Sequence, residues 1–200
     1  MVGITCQATD MSVRLGELLW RWIFIVGIFL QPWGVVGQVI APLKAESPVL
    51  VTSSGQSLDG FTTKTLLTRA GIANDYKALA TGADLEKVKT LIIAFGASVK
   101  GFGAAGITID TEIARTTNLL TVARAKKIRI IGMHLGGAER RTGMSKEIVE
   151  IVAPACDWLI VWEDGNADGY FSKLSTEKKI PLILLKQPME AGRTIAMAFK

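Results

Sequence analysis

The feature that most constrains this chain is a series of short, nearly uninterrupted apolar runs separated by stretches of helical spacing. PVLVTS, TLIIAFG, IRIIGMHLGG, WLIVW and IPLILLK follow one another from Pro48 onward. A strand that faces water on one side alternates apolar and polar residues, whereas a strand covered on both faces does not need to. Between the runs lie TTKTLLTRAG, stopped by Gly71, a long segment opening at Asp110, and SKEIVEIVAPA, with Ser145 as N-cap and Pro154 as stop. FSKLSTEKK and PMEAGRTIAMAF, with Pro188 in the first turn, complete the helices. YKALAT reads as a weak second strand and ADLEKV as a short helix. Strands alternating with helices predict one doubly wound, flavodoxin- or Rossmann-like three-layer α/β sandwich, its mostly parallel sheet having about five strands.

Residues 1–45 are of another kind. Arginine at position 14 precedes an apolar run from Leu18 to Leu30, interrupted by Arg21, and then Pro32 and small residues. Basic, apolar and small-residue regions in that order predict a secretory signal peptide, with Val35, Gly37, Ala41 and Ala45 as cleavage candidates. The unbroken part, Trp22–Leu30, is shorter than the roughly 20 residues a membrane span needs, so an uncleaved anchor is the competing reading. The expected organisation is an N-terminal extension with signal over 1–45 and a single α/β domain over 46–200, exported to the periplasm or beyond.

Composition narrows the function classes. With 49% hydrophobic residues the chain has ample material for a core, and its +5 charge is spread along presumed helix faces. No nucleic-acid motif accompanies that charge, so no nucleic-acid partner is expected, and membrane contact only through the terminal segment. Of the two cysteines, Cys6 precedes the signal, which leaves Cys156 as a small buried hydrophobe.

In an open parallel sheet ligands bind beyond the carboxyl ends of the strands, where strand order reverses. The segments that follow the strands are SSGQSLDG, FGASVKGFGAAG, HLGGAERRTG, EDGNADGYF and KQPMEAG, all glycine-bearing and mostly polar. The helix-to-strand joints at the other edge are blander. In the glycine segment, backbone amides around Gly101, Gly103 and Gly106 are expected to cradle an anion beside Lys100. It is not a Walker loop, and its GxGxxG does not open a helix directly as a dinucleotide fingerprint does. Gln56 and Ser57 supply hydrogen bonds after the first strand, without the GxSxG nucleophile pattern. Gly136 and Gly137 precede Arg140 and Arg141, a pair able to clamp an anion, and Asn166 joins the ligand-binding candidates. His134, the one histidine, and Asp164 are the candidate proton-transfer groups. Asp164, Asn166 and Asp168 match the opening of a calcium loop, DxNxDG, although Ser175 stands where a bidentate Glu belongs. No other cofactor is expected.

LVTSSGQS, GASVKGFGAAGI, MHLGGAERR and EDGNADGYF together resemble a family of prokaryotic exported proteins known as domain of unknown function 6305. The resemblance covers Pro48 to Phe199 and implies a secreted single α/β domain. It also implies functional weight at Gly55, Gln56, Ser57, Lys100, Gly101, Gly103, Gly136, Gly137, Arg140, Asn166, Asp168 and Gly169. It brings no activity. Three functions stay open: binding of a small anionic ligand, a hydrolase or transferase acting on a phosphorylated or carboxylated metabolite, and an envelope interaction module.

Overall fold

The computed structural model describes residues 44–199. The expected signal segment, with Cys6 and the cleavage candidates Val35, Gly37 and Ala41, lies outside the described residues. Within them, six strands form one parallel sheet: β1 (Val49–Ser54), β2 (Asp75–Tyr76), β3 (Thr90–Phe95), β4 (Arg129–His134), β5 (Trp158–Trp162) and β6 (Leu182–Leu185). Their order is β2-β1-β3-β4-β5-β6, so the chain steps outward once from β1 and then winds the other way from β3. The reversal between β1 and β3 is the switch point of a flavodoxin-like sheet.

Among the described residues six α-helices cover the faces: α1 (Asp59–Arg69), α2 (Val99–Ala105), α3 (Ile109–Ala125), α4 (Gly143–Val152), α5 (Tyr170–Lys178) and α6 (Ala191–Ala196). None of the described helices is long and apolar enough to cross a membrane. The period of two along each strand divides the core. Leu50, Leu91, Ile93, Phe95, Ile130, Leu159 and Val161 pack under α3, α4 and α5, with Leu119, Ile148 and Phe171. Val51, Ile92, Ala94, Ile131, Met133 and Ile160 pack under α1 and α6, with Leu67 and Ile195. Strands so buried on both faces need no polar alternation, which is why the apolar runs were continuous. Cys156 belongs to the first core. Burial raises its thiol far above the ordinary cysteine range, and an added Cβ at Gly132 would stand 2.5 Å from its sulfur.

Four local expectations change. The second strand is only Asp75–Tyr76, and ADLEKV shrinks to a single 3-10 turn, Gly82–Leu85. The glycine segment expected as a loop folds instead as helix α2. Each interior glycine costs a helix about 1 kcal/mol, but local bonds offset that cost. Ser98 caps the helix by accepting from the Gly101 amide at 3.1 Å, and Gly106 closes it in the left-handed region at φ 66°. Phe102, 6% exposed, anchors it to the core. Likewise α4 starts at Gly143, before Ser145, because Thr142 occupies the N-cap position.

Candidate functional site at the β1–β3 switch point

The chain leaves β1 through Gly55 and Gln56, both at positive φ (94° and 55°). Such a turn in a non-glycine residue is strained and has to be held. The holder is Glu112, fully buried on the first turn of α3. One carboxylate oxygen accepts from the Gly55 amide at 2.7 Å and the Gln56 side-chain amide at 2.9 Å. Arg115, one turn on, donates to both carboxylate oxygens at 2.8 Å and also reaches the carbonyls of Ser53 and Ala80. Burial works to raise Glu112, but the Arg115 guanidinium and these N–H donors outweigh it and hold the carboxyl below its ordinary range. Neither Glu112 nor Arg115 stands out in the sequence. Gln56, expected to touch a ligand, spends its amide on Glu112 and on the Ala78 carbonyl, so it belongs to the scaffold.

Helix α2 is pressed against this turn. Ser98 donates its amide to the Gly55 carbonyl at 2.8 Å, and a Cβ at Gly101 would fall 2.0 Å from the Gln56 oxygen. Only glycine permits that approach. Gly101 therefore serves packing, while Gly103 and Gly106 face open space. Lys100 is exposed on the first turn of α2. Three residues earlier, Ala97 donates its amide to Ser145 Oγ at 3.0 Å, and its carbonyl receives Arg140 Nη1 at 3.4 Å. Arg140 thus crosses from the loop after β4 to the loop after β3, its stem lying over Gly136, and is half-buried.

The floor between these groups is Gly96. Its nearest neighbours on the side-chain side are Asp59 Oδ2 and the His134 ring, each 3.9 Å from where a Cβ would be. Ser57 Oγ donates to Asp59 Oδ2 at 3.1 Å. Leu58 and Val99, at the starts of α1 and α2, are 81% and 70% exposed. Sequence reasoning missed Asp59, Leu58 and Val99. An apolar residue set between polar ones in a loop was the available signal.

His134 closes the site from below and is not presented as a surface base. It is fully buried, and its Nδ1 stands 2.9 Å from the Phe95 carbonyl, which can only accept, so Nδ1 carries the proton. The ring packs against Phe95 and Phe171. Burial is the main cause that pushes His134 down to about 4, with Arg141 and Arg140 adding to it.

The remaining candidates serve the packing of the loops after β4 and β5. Asp164 accepts from the Ala138 amide at 3.1 Å, and a Cβ at Gly137 would sit 2.2 Å from its carboxylate. A Cβ at Gly136 would strike the Arg140 stem at 2.6 Å. Both glycines give room to neighbouring side chains, Arg140 and Asp164. Arg141, expected to clamp an anion beside Arg140, turns inward. It is 8% exposed, donates to Asp168 at 3.0 Å, and lies 4.5 Å and 4.8 Å over the Tyr170 and Phe171 rings. Burial opposes ionisation of Asp168, and the Tyr170 amide together with Arg141 nevertheless holds it below its ordinary range. Asn166 accepts from the Phe171 and Ser172 amides and so caps α5. In the calcium-type pattern each side chain accepts local bonds: Asp164 from the Ala138 amide, Asn166 from the Phe171 and Ser172 amides, and Asp168 from the Tyr170 amide and Arg141. Among the described residues no group of three or more His, Cys, Asp or Glu side chains could hold a metal.

The opposite edge of the sheet carries three open hollows of about 320, 330 and 550 Å³. The first is lined by Lys87, Lys89, Lys126 and Lys127, the others by the residues that lead into β1 and β2. They are formed where strands begin and contain none of the convergent loop side chains described above.

A family model described as Domain of unknown function (DUF6305) matches residues 46–199, so the chain belongs to that family. No curated protein matches the chain. Among solved structures it is similar to a GDSL-like lipase from Bacteroides thetaiotaomicron at 14% identity and a TM-score of 0.33. That match covers 68% of this chain and 66% of the lipase, just under two thirds. It is also similar to a protein from Bacteroides fragilis described as a "putative acylhydrolase", at 14% identity and a TM-score of 0.32, covering 70% of each chain. At those scores the likenesses carry no argument about activity.

Proposed function

We propose that this member of the DUF6305 family is an extracytoplasmic binding domain for a small anionic ligand, seated on Gly96 at the β1–β3 switch point. The observation that carries the reading is Arg140. A side chain from the β4 loop is drawn across onto Ala97, three residues before Lys100, and its one described hydrogen bond is long, at 3.4 Å. A guanidinium has five donors in a fork suited to a phosphate or carboxylate, and this bond occupies one of them, which leaves the others for an anion. Lys100 adds a second, mobile charge. Asp59 with Ser57 would take a hydroxyl or amino hydrogen of the same molecule, and Leu58 with Val99 would cover its apolar part. The floor is rigid because Glu112, Arg115 and Gly101 fix both loops, which lowers the ordering cost of binding.

The test is a thermal-shift screen against small phosphorylated and carboxylated metabolites. A ligand at a hundred times its Kd stabilises the fold by about 2.7 kcal/mol, a readily visible shift. The shift should vanish in Lys100→Ala/Arg140→Ala while the unliganded Tm holds; a hit that survives the double variant contradicts the reading.

The hydrolase or transferase reading has one observation in its favour, the Ser57–Asp59 hydrogen bond beside the open floor. His134 gives it little help, since its protonated nitrogen is committed to Phe95. Turnover of a metabolite that is abolished by Ser57→Ala, with binding retained, would favour it over simple binding.

A further inference from the structure

The edge where the strands begin has its own chemistry. Lys87 and Lys89 lead into β3, and Lys126, Lys127 and Arg129 lead into β4, the two central strands. All five are exposed, and none is paired with a carboxylate in the ion pairs of the described residues. The four lysines ring the hollow of about 320 Å³, with the single carboxylate of Glu86 among them. The strands are held in step here by backbone bonds, Lys89 N–H to the Pro48 carbonyl at 2.9 Å and Arg129 N–H to the Lys89 carbonyl at 3.1 Å. The cations therefore stand side by side on a fixed frame. In a chain whose net charge is +5, this cluster concentrates most of the excess on one end of the molecule.

The same edge receives the chain from its N-terminal segment. Glu46 is bound to the Thr90 hydroxyl through both its amide and its carbonyl, at 3.0 and 2.8 Å, and Ala45 N–H donates to the Ala198 carbonyl at 2.9 Å. The connection is thus pinned beside the lysines. Upstream, the apolar run ends at Leu30, and residues 31–43 span at most about 45 Å of extended chain. A bilayer that held this run as an uncleaved anchor would lie within that reach of the basic edge.

We propose that this edge docks on an anionic phospholipid surface, with the carboxyl-end site facing away from the bilayer. Juxtamembrane lysines and arginines are attracted to anionic headgroups, each strengthening association about fivefold, and salt weakens the attraction. The proposal does not depend on what the carboxyl-end site binds.

The test is flotation of the full chain with vesicles of phosphatidylcholine alone and with phosphatidylglycerol added. The apolar run contributes to both, so the readout is the ratio of the two partition coefficients. The wild type should prefer the anionic vesicles at low salt and lose the preference at high salt. The variant K87Q/K89Q/K126Q/K127Q should reduce that ratio at least tenfold, while Lys146→Gln on α4 leaves it unchanged. If the fourfold variant is poorly folded, Lys126→Gln/Lys127→Gln should reduce the ratio by about its two-lysine share. An unchanged ratio in folded lysine variants overturns the proposal. So does release of the protein by inorganic phosphate at constant ionic strength, which would assign the cluster to a soluble anion.

Discussion

The two ends of this sheet are built by different means. At the carboxyl ends, loops touch through close contacts and buried bonds: Gly101 against the Gln56 carbonyl, Gly137 against Asp164, Glu112 beneath Gly55 and Gln56. At the amino ends, the joints are plain turns between exposed lysines around open hollows. Positioned donors are needed where a small molecule has to be read, and that precision requires support from behind. A charged surface meeting another surface needs no such support. The difference predicts that substitutions at the carboxyl end divide sharply into those that unfold and those that only unbind, whereas lysine changes at the other end leave both the fold and the small anion's binding intact and weaken only the docking on anionic lipid.

The largest effect belongs to Glu112. In Glu112→Ala, Arg115 is left nearly buried without its partner, and the Gly55 amide loses its acceptor. Breaking a buried pair costs about 3–5 kcal/mol, to be read from urea unfolding; a cost below about 1 kcal/mol would mean the carboxyl-end scaffold is not the rigid one.

Next in size is acid sensitivity through His134. An unfolded histidine takes a proton near 6.5, and in the fold His134 does so only near about 4. Between those values the unfolded state binds more protons, so stability falls as pH drops through that window, by up to about 3 kcal/mol. Above 6.5 this group contributes no slope. Glu112, held low, adds its loss only as pH falls below its ordinary 4.5. His134→Asn should therefore flatten the stability profile between about 6.5 and 4.5 and leave the steeper acid limb. An unchanged slope in that variant would remove His134 from the account.

Gly101→Ala comes third. Its Cβ would meet the Gln56 oxygen at 2.0 Å, so α2 must lift from the β1 turn, at about 1–3 kcal/mol and with loss of anion affinity. Full stability with full affinity would show that the two loops are not locked. The smallest stability effect is that of Lys100→Ala/Arg140→Ala, within about 0.5 kcal/mol of wild type by urea unfolding.

Much of the fold was legible because burial on both sheet faces writes continuous apolar runs, and Gly71 and Pro188 sit at the ends where helices stop and start. The helix α2 was not legible, because its stability comes from the Ser98 cap and the Phe102 anchor, against the low helix propensity of its glycines. The edge that carries the candidate site could be read from the polar loop composition, since Ser57, Lys100 and Arg140 all stand in segments that follow strands. Arg141 and Arg140 could not be told apart by sequence, since one turn of backbone decides that the first stacks on Tyr170 and Phe171 while the second reaches Ala97. Glu112 and Arg115 stayed hidden because an ion pair on a helix face looks the same in sequence whether solvent or a strained turn lies beside it.

The most direct test of the central claim is amide chemical-shift mapping with the anion that gives the largest thermal shift. The account predicts movements at Gly96, Ala97, Ser98 and Lys100, with Arg140 following, and little change at Lys87–Lys89 and Lys126–Ile128. Shifts confined to the lysine edge, with the Gly96 floor silent, would contradict it.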